Sequence, residues 1–380
     1  MTGETNRRVE PHESTLSLLD PRPLATRHKL GIVGMVVLAL APFYTEFSTL
    51  RMLTAALYLG MFAMSWDVVS GYTGEISFGH AFFFALGGYT SVVLSTELAV
   101  TPLLTIPVGV IVAALGGLLI GVPALRVKGP YLSLITLVAP LLLFQIFIIY
   151  RGTFGGESGL RGEPNLIGTS SDAVLTITSE FGALGAPDVV RILNFYLAFG
   201  LFIIIMLGLI AITRSNAGAV FYAIRSGEDV VSATGKNPAK FKIFVFVLSA
   251  AVGGLAGGVF AHSNVGAAQP GALLELELSL LVIVASVIGG MGTITGAALG
   301  GILVHVLENE VFGDIDDSLF GIDITWFNDI VGHSIASMDF LLVGVVGIVI
   351  VYTFPGGLLR WGVEKGETLR DRIDERRGDS

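Results

Sequence analysis

Ten residues, Gly71-Tyr-Thr-Gly-Glu-Ile-Ser-Phe-Gly-His80, bring together the hydroxyls of Thr73 and Ser77, the imidazole of His80 and three glycines. Hydroxyl and imidazole groups can hydrogen-bond a polar solute. The glycines make a regular helix unfavourable, which frees backbone N–H and C=O groups for the same task. Thr73, Gly74, Ser77 and His80 are therefore candidates for lining a solute path, with an ordinary turn between helices as the alternative reading. A second segment, Arg225-Ser-Gly-Glu-Asp229 through Gly235, reads as a short helix with both ends marked. Ser226 is placed to accept from the amide of Asp229, Glu228 and Asp229 fall in the first turn where the helix dipole favours carboxylates, and Gly235 then Pro238 end it. Arg225, Ser226, Gly227, Glu228, Asp229 and Gly235 suit docking to a partner; a plain amphipathic connector is the alternative.

Other reactive constellations are missing from the sequence. Gly235-Lys236 is followed by Asn237 and has no glycine five residues upstream, so it is not a phosphate-cradling loop. The six histidines (His12, His28, His80, His262, His305, His333) form no metal-binding pair at helical spacing. Gly290-Met-Gly292 has its next glycine at 296, one place beyond a dinucleotide fingerprint. The chain has no cysteine, hence no disulfide framework or thiolate metal site. No cofactor is expected, and the chain is not expected to be an enzyme.

The elements that position these residues are membrane spans. Residues of the AVILMFWYC class make up 53% of the chain, with 49 glycines besides, and charged residues only 14%, which excludes a soluble globular domain. The net charge of −9 argues against nucleic acid as a partner. The expected fold is all-α, a polytopic transmembrane helical bundle of about ten spans (range eight to ten). They begin near Gly31, Arg51, Ile76, Leu103, Pro130, Asn194, Lys242, Leu276, Gly296 and Phe340. The first and ninth runs are short for a bilayer of roughly 30 Å. With ten spans, 18 of the 22 Lys and Arg residues fall on the side that holds both termini, which makes that side cytoplasmic.

The domain plan is then a polar tail at 1–30, a transmembrane domain at 31–358 and a charged tail at 359–380. Arg7-Arg8 is not an export signal, because Pro11, Asp20, Pro21 and Pro23 intervene before the first apolar run. Two outer segments, 151–191 and 308–339, are long and acidic, the second with eight carboxylates and no Lys or Arg. They read as solvation in a high-salt medium rather than an electrostatic docking face, since salt would screen steering. The cytoplasmic loop 214–242 carries the docking helix. Gly253/Gly257 and Gly254/Gly258 have the spacing of helix packing faces. Asp67, Glu75, Glu275 and Glu277 lie near expected span ends, within reach of headgroup water, which disfavours an ion-coupled carrier with a midplane carboxylate.

Six motifs in order resemble the branched-chain amino-acid ABC transporter permease family, specifically its LivM-type subunit. They are Gly71 to Tyr89, Lys128 to Leu137, Gly155 to Leu160, Ala223 to Gly235, Lys242 to Ala261 and Gly289 to Gly296, and the resemblance runs from about Leu50 to Leu359. It implies a permease subunit in the cytoplasmic membrane that translocates branched-chain or related aliphatic amino acids. The implied partners are a second, LivH-type permease subunit, two cytoplasmic ATPase subunits and an extracytoplasmic substrate-binding protein. It also implies that Arg225 to Gly235 couples to the ATPase. Ser232 and Thr234 depart from the family pattern, which usually has an acidic residue and Leu there, and 308–339 resembles an insertion. Urea and short-amide importers share these motifs and are the alternative within the family. An ion-coupled secondary carrier and a non-transporting scaffold are the alternatives outside it.

Overall fold

The computed structural model describes residues 26–124, 131–160, 164–180, 184–312, 318–319, 322–323, 339–354, 356–362 and 365. The chain divides into two compact units, Met1–Leu38 with Val363–Ser380, and Ala39–Gly362. The first contributes most of helix α1 (Thr26–Ala39). Most of both expected tails, the Arg126 to Lys128 turn and about two thirds of 308–339 lie outside the described residues.

The second unit is helical. Its longer helices are α2 (Phe47–Thr73), α3 (Ala81–Leu98), α4 (Pro102–Ala124), α5 (Tyr131–Ile149), α6 (Asp172–Glu180), α7 (Ala186–Thr213), α8 (Asn216–Ser226), α9 (Glu228–Ala233), α10 (Pro238–Ala261), α11 (Leu276–Gly289), α12 (Ile294–Val306) and α13 (Asp339–Thr353). Among the described residues the only strand pairing is two residues long, Ser318 to Asp323 and Leu319 to Ile322. Among the described residues seven helices are long and apolar enough to cross a membrane: α2, α3, α4, α5, α7, α10 and the Pro270–Gly289 stretch that contains α11. α12 and α13 are apolar but shorter. At 1.5 Å per residue the 13 residues of α12 reach about 20 Å, short of a ~30 Å hydrocarbon layer, as its run length predicts.

α2 is the hub. Every residue from Ala56 to Gly71 is buried, as expected of a helix apolar on all faces. α7, α10, α11 and α12 pack around it, and α10 also packs on α3 and α4. Close approach in that layer requires glycine. A Cβ on Gly87 of α3 would strike the carbonyl oxygen of Gly254 in α10, so a methyl group at that position would force the helices apart. The outward faces of α4 and α5 carry exposed Leu103, Leu119, Leu142 and Ile149, a surface suited to lipid and costly in water.

Two expectations need correcting. The third span begins at Ala81 and not near Ile76, because the stretch just before it is irregular. Asp67 is not at a solvated span end: it is fully buried, six residues inside α2. Glu275 and Glu277, at the start of α11, are exposed as expected.

Candidate functional site

The expected break exists but is shorter than Gly71 to His80. Gly71, Tyr72 and Thr73 continue α2, with Thr73 Oγ1 donating to the Val69 carbonyl at 2.8 Å. The chain leaves the helix at Gly74 and is irregular until Ala81. Backbone groups of this segment are satisfied by side chains from three helices. Trp66 Nε1 donates to the Ser77 carbonyl at 2.7 Å, and Ser70 Oγ to that of Glu75 at 2.9 Å. From α5, Ser133 Oγ donates to the Ile76 carbonyl at 2.7 Å and Thr136 Oγ1 accepts from the Phe78 amide at 3.1 Å. From α11, Ser279 Oγ accepts from the Ala81 amide at 3.0 Å. Non-helical backbone among apolar helices persists only under such cover.

Ser77 and His80 are wholly buried and Thr73 nearly so. His80 Nε2 lies 2.9 Å from Ser249 Oγ of α10, and its ring packs against Phe62 and Phe83. Ser77 Oγ and His80 Nδ1 have no hydrogen-bond partner among the described residues. Gly74 and Ile76 are exposed at the end of the bundle where α2 stops.

The second segment is two helices and not one. Ser226 does not cap the helix that follows. It is the last residue of α8, and its hydroxyl bonds back to the Tyr222 carbonyl at 3.3 Å. Gly227, in extended conformation, makes the corner and is the N-cap of α9. A serine after an apolar run can back-bond within its own helix as readily as cap the next one, so the residue type alone does not decide. The rest follows expectation: Glu228 and Asp229 occupy the first turn of α9, Gly235 follows its end with φ +77°, and Asn237 caps α10 by accepting from the Ala239 amide at 3.0 Å. Val220 and Ile224 of α8 pack against Val231 of α9 and Phe241 of α10, so the loop is a packed unit. Asp229 and Val230 face outward, as do Ser232 and Ala233.

The structure joins these two segments. Lys242 Nζ, on a side chain only 5% exposed, lies 2.7 Å from Glu75 Oε1 in the break and 2.8 Å from Glu228 Oε1 at the start of α9. Arg225 Nη1 donates to the Gly71 carbonyl near the end of α2. Asp67 Oδ1 accepts from the Gly292 amide at 2.7 Å, which ties α2 to the turn between α11 and α12. Asp67, Glu75, Lys242 and Gly292 were not among the expected site residues. Their charges and glycines are visible in the chain, but their partners lie far away in sequence.

A separate polar cluster sits at the opposite end of α3 and α10. Ser91 Oγ lies 2.9 Å from both His262 Nε2 and Thr105 Oγ1, and His262 Nδ1 lies 2.7 Å from the Pro164 carbonyl. Among the described residues no group of three His, Cys, Asp or Glu residues could hold a metal.

Residues 48–351 match the family model described as "Branched-chain amino acid transport system / permease component". The chain is 28% identical over 300 residues to the high-affinity branched-chain amino acid transport system permease protein LivM of Escherichia coli, covering 77% of this chain and 70% of that one. It is 27% identical over 274 residues to the permease protein BraD of Pseudomonas aeruginosa, covering 69% and 85%. It is also 29% identical over 231 residues to the ribose import permease protein RbsC of Haemophilus influenzae, covering 59% and 65%.

Proposed function

The chain belongs to the family of permease components of branched-chain amino acid transport systems, and from that premise we propose that it moves branched-chain or related aliphatic amino acids inward as one of two permease subunits of an ATP-driven importer. Its partners in this reading are a LivH-type permease, two cytoplasmic ATPase subunits and an extracytoplasmic binding protein. ATP hydrolysis belongs to the ATPase subunits. The chain crosses the membrane ten times with both termini cytoplasmic, the shorter α1, α12 and α13 adding to the seven long spans. The asymmetry of its Lys and Arg residues supports that orientation.

The observation that carries the reading is the double connection from the loop helices to the break, Arg225 to Gly71 and Glu228 through Lys242 to Glu75. A partner pressing on the outward face of α9 displaces Glu228 and Arg225, and both are bonded to the segment around Gly74. Packed interfaces of this kind switch between discrete arrangements rather than deform continuously. Thr73, Gly74, Ser77 and His80 line the solute path when that segment opens, with Ser77 Oγ and His80 Nδ1, which have no hydrogen-bond partner among the described residues, available to the solute. An importer is biased toward its inward-open state only to the extent that ATP binding favours the loop position of that state.

The test is leucine uptake into proteoliposomes that hold the complete complex. Uptake should require ATP and be competed by isoleucine and valine, but not by urea, acetamide or ribose. Competition by urea or acetamide moves the substrate to the short amides. Uptake by this chain alone, driven by an ion gradient without ATP, overturns the importer reading.

A further inference from the structure

Asp67 has no part in binding solute or partner in the mechanism above, yet it is a fully buried carboxylate inside a membrane-crossing helix. Burying a carboxylate without compensation costs several kcal/mol, so its surroundings should show what it is for. One oxygen, Oδ1, accepts from the Gly292 amide at 2.7 Å; the other, Oδ2, has no hydrogen-bond partner among the described residues. A cation reaches the same end of α2: Arg225 Nη1 donates to the Gly71 carbonyl, one helical turn beyond Asp67.

The two charged groups meet on the same two glycines. A Cβ on Gly71 would strike Asp67 Oδ1 and come within 2.6 Å of the Gly292 nitrogen, and a Cβ on Gly292 would come within 2.9 Å of Arg225 Nη1. Three elements far apart in sequence therefore close on one point: the end of α2, the turn at Gly290 to Gly292, and the last turn of α8.

We propose that Asp67 is a positioning residue that holds the Arg225 guanidinium against Gly71 and Gly292, making the end of α8, the end of α2 and the 290–292 turn one rigid joint through which movement of the coupling loop reaches the break. The joint is a claim about the fold. Its use in transmission rests on the importer reading.

The chain has no cysteine, so spin labels placed through Ser226→Cys and Met291→Cys, both at exposed positions, report the joint without background. In the complete complex the distance between these labels should be a single narrow distribution. Asp67→Asn retains an acceptor for the Gly292 amide and replaces the carboxylate beside the Gly71 and Gly292 contact with a neutral amide, and it should add a second, longer population. If Asp67→Asn does not accumulate, Arg225→Gln on the solvent side of the same pair should do the same. An unchanged distribution in the variant measured overturns the joint. For transmission, leucine taken up per ATP hydrolysed should fall at least tenfold in Asp67→Asn, and the double variant Asp67→Asn/Arg225→Gln should be no worse than Arg225→Gln alone, since Asp67 acts through the guanidinium that this variant already removes. Unchanged uptake per ATP, or losses that multiply, overturns that role. A wild-type complex with no ATP-driven uptake defeats the importer reading instead, and the label distances still judge the joint.

Discussion

Lys242, at the start of α10, donates to Glu75 Oε1 at 2.7 Å, and the same Nζ reaches Glu228 Oε1 at 2.8 Å. The ammonium thereby fastens the irregular segment after α2 to the first turn of α9. Glu228 is turned toward its own chain, while its neighbour Asp229 faces solvent. The two carboxylates of one helical turn have different work, and separate substitutions distinguish them.

Replacing Lys242 with Met leaves two carboxylates side by side with no cation between them. Hydrogen bonds to charged groups contribute about 1.5–3 kcal/mol each when well formed, and the Glu228 end, 43% exposed, is worth less than the Glu75 end because water screens it. The expected outcome is a lower unfolding midpoint for Lys242→Met in detergent, with Lys240→Met, at an exposed position, as the control. Equal midpoints for the two variants would show that the tether holds nothing.

Ser77→Ala removes a buried hydroxyl that has no partner among the described residues. It should leave stability within about 0.5 kcal/mol of wild type, since no hydrogen bond is lost. If the hydroxyl meets the solute, the KM for leucine uptake should rise while the unfolding midpoint stays fixed. A lower midpoint with unchanged KM would make Ser77 a packing residue.

Gly235 stands at φ +77° and a Cβ there would meet nothing within 4 Å, so only the backbone conformation resists substitution. Left-handed backbone costs a residue with a Cβ roughly 1–2 kcal/mol, and Asn tolerates it better than most. Gly235→Val should weaken ATPase pull-down and uptake, and Gly235→Asn should retain both. Equal behaviour of Val and Asn would remove the stop from the account.

Much of the fold was legible before the structure. Membrane class follows from composition, the C-terminal end of α9 from Gly235 and Pro238, and the packing face of α10 from its glycine spacing, because each is a local or periodic signal. The joining of the two segments was not legible. Lys242 meets Glu75 and Arg225 meets Gly71 only after α2, α8 and α10 have packed, and nothing local in the chain marks such pairs. The burial of Asp67 has the same origin: proximity to a span end suggests water, whereas α11 and α12 bring the Gly292 turn over it. Ser226 does not cap α9 because two local hydrogen bonds compete for one hydroxyl and the bond within α8 wins.

Orientation is open to direct chemical test. With no natural cysteine, Asp229→Cys on the loop helix and Ser170→Cys in the segment before α6 can each carry one label, both at exposed positions. An impermeant maleimide applied to intact cells should modify position 170 and spare position 229 until the membrane is opened. The opposite pattern would invert the topology.

The most direct test of coupling is the charge of Asp229, because that side chain is exposed and its replacement leaves the Lys242 tether in place. In the complete complex, Asp229→Lys should reduce both ATPase pull-down and ATP-dependent leucine uptake at least tenfold, in line with the 2–5 kcal/mol typical of one partner lost from a close charged contact at an interface. Full assembly together with full uptake in Asp229→Lys would contradict the account.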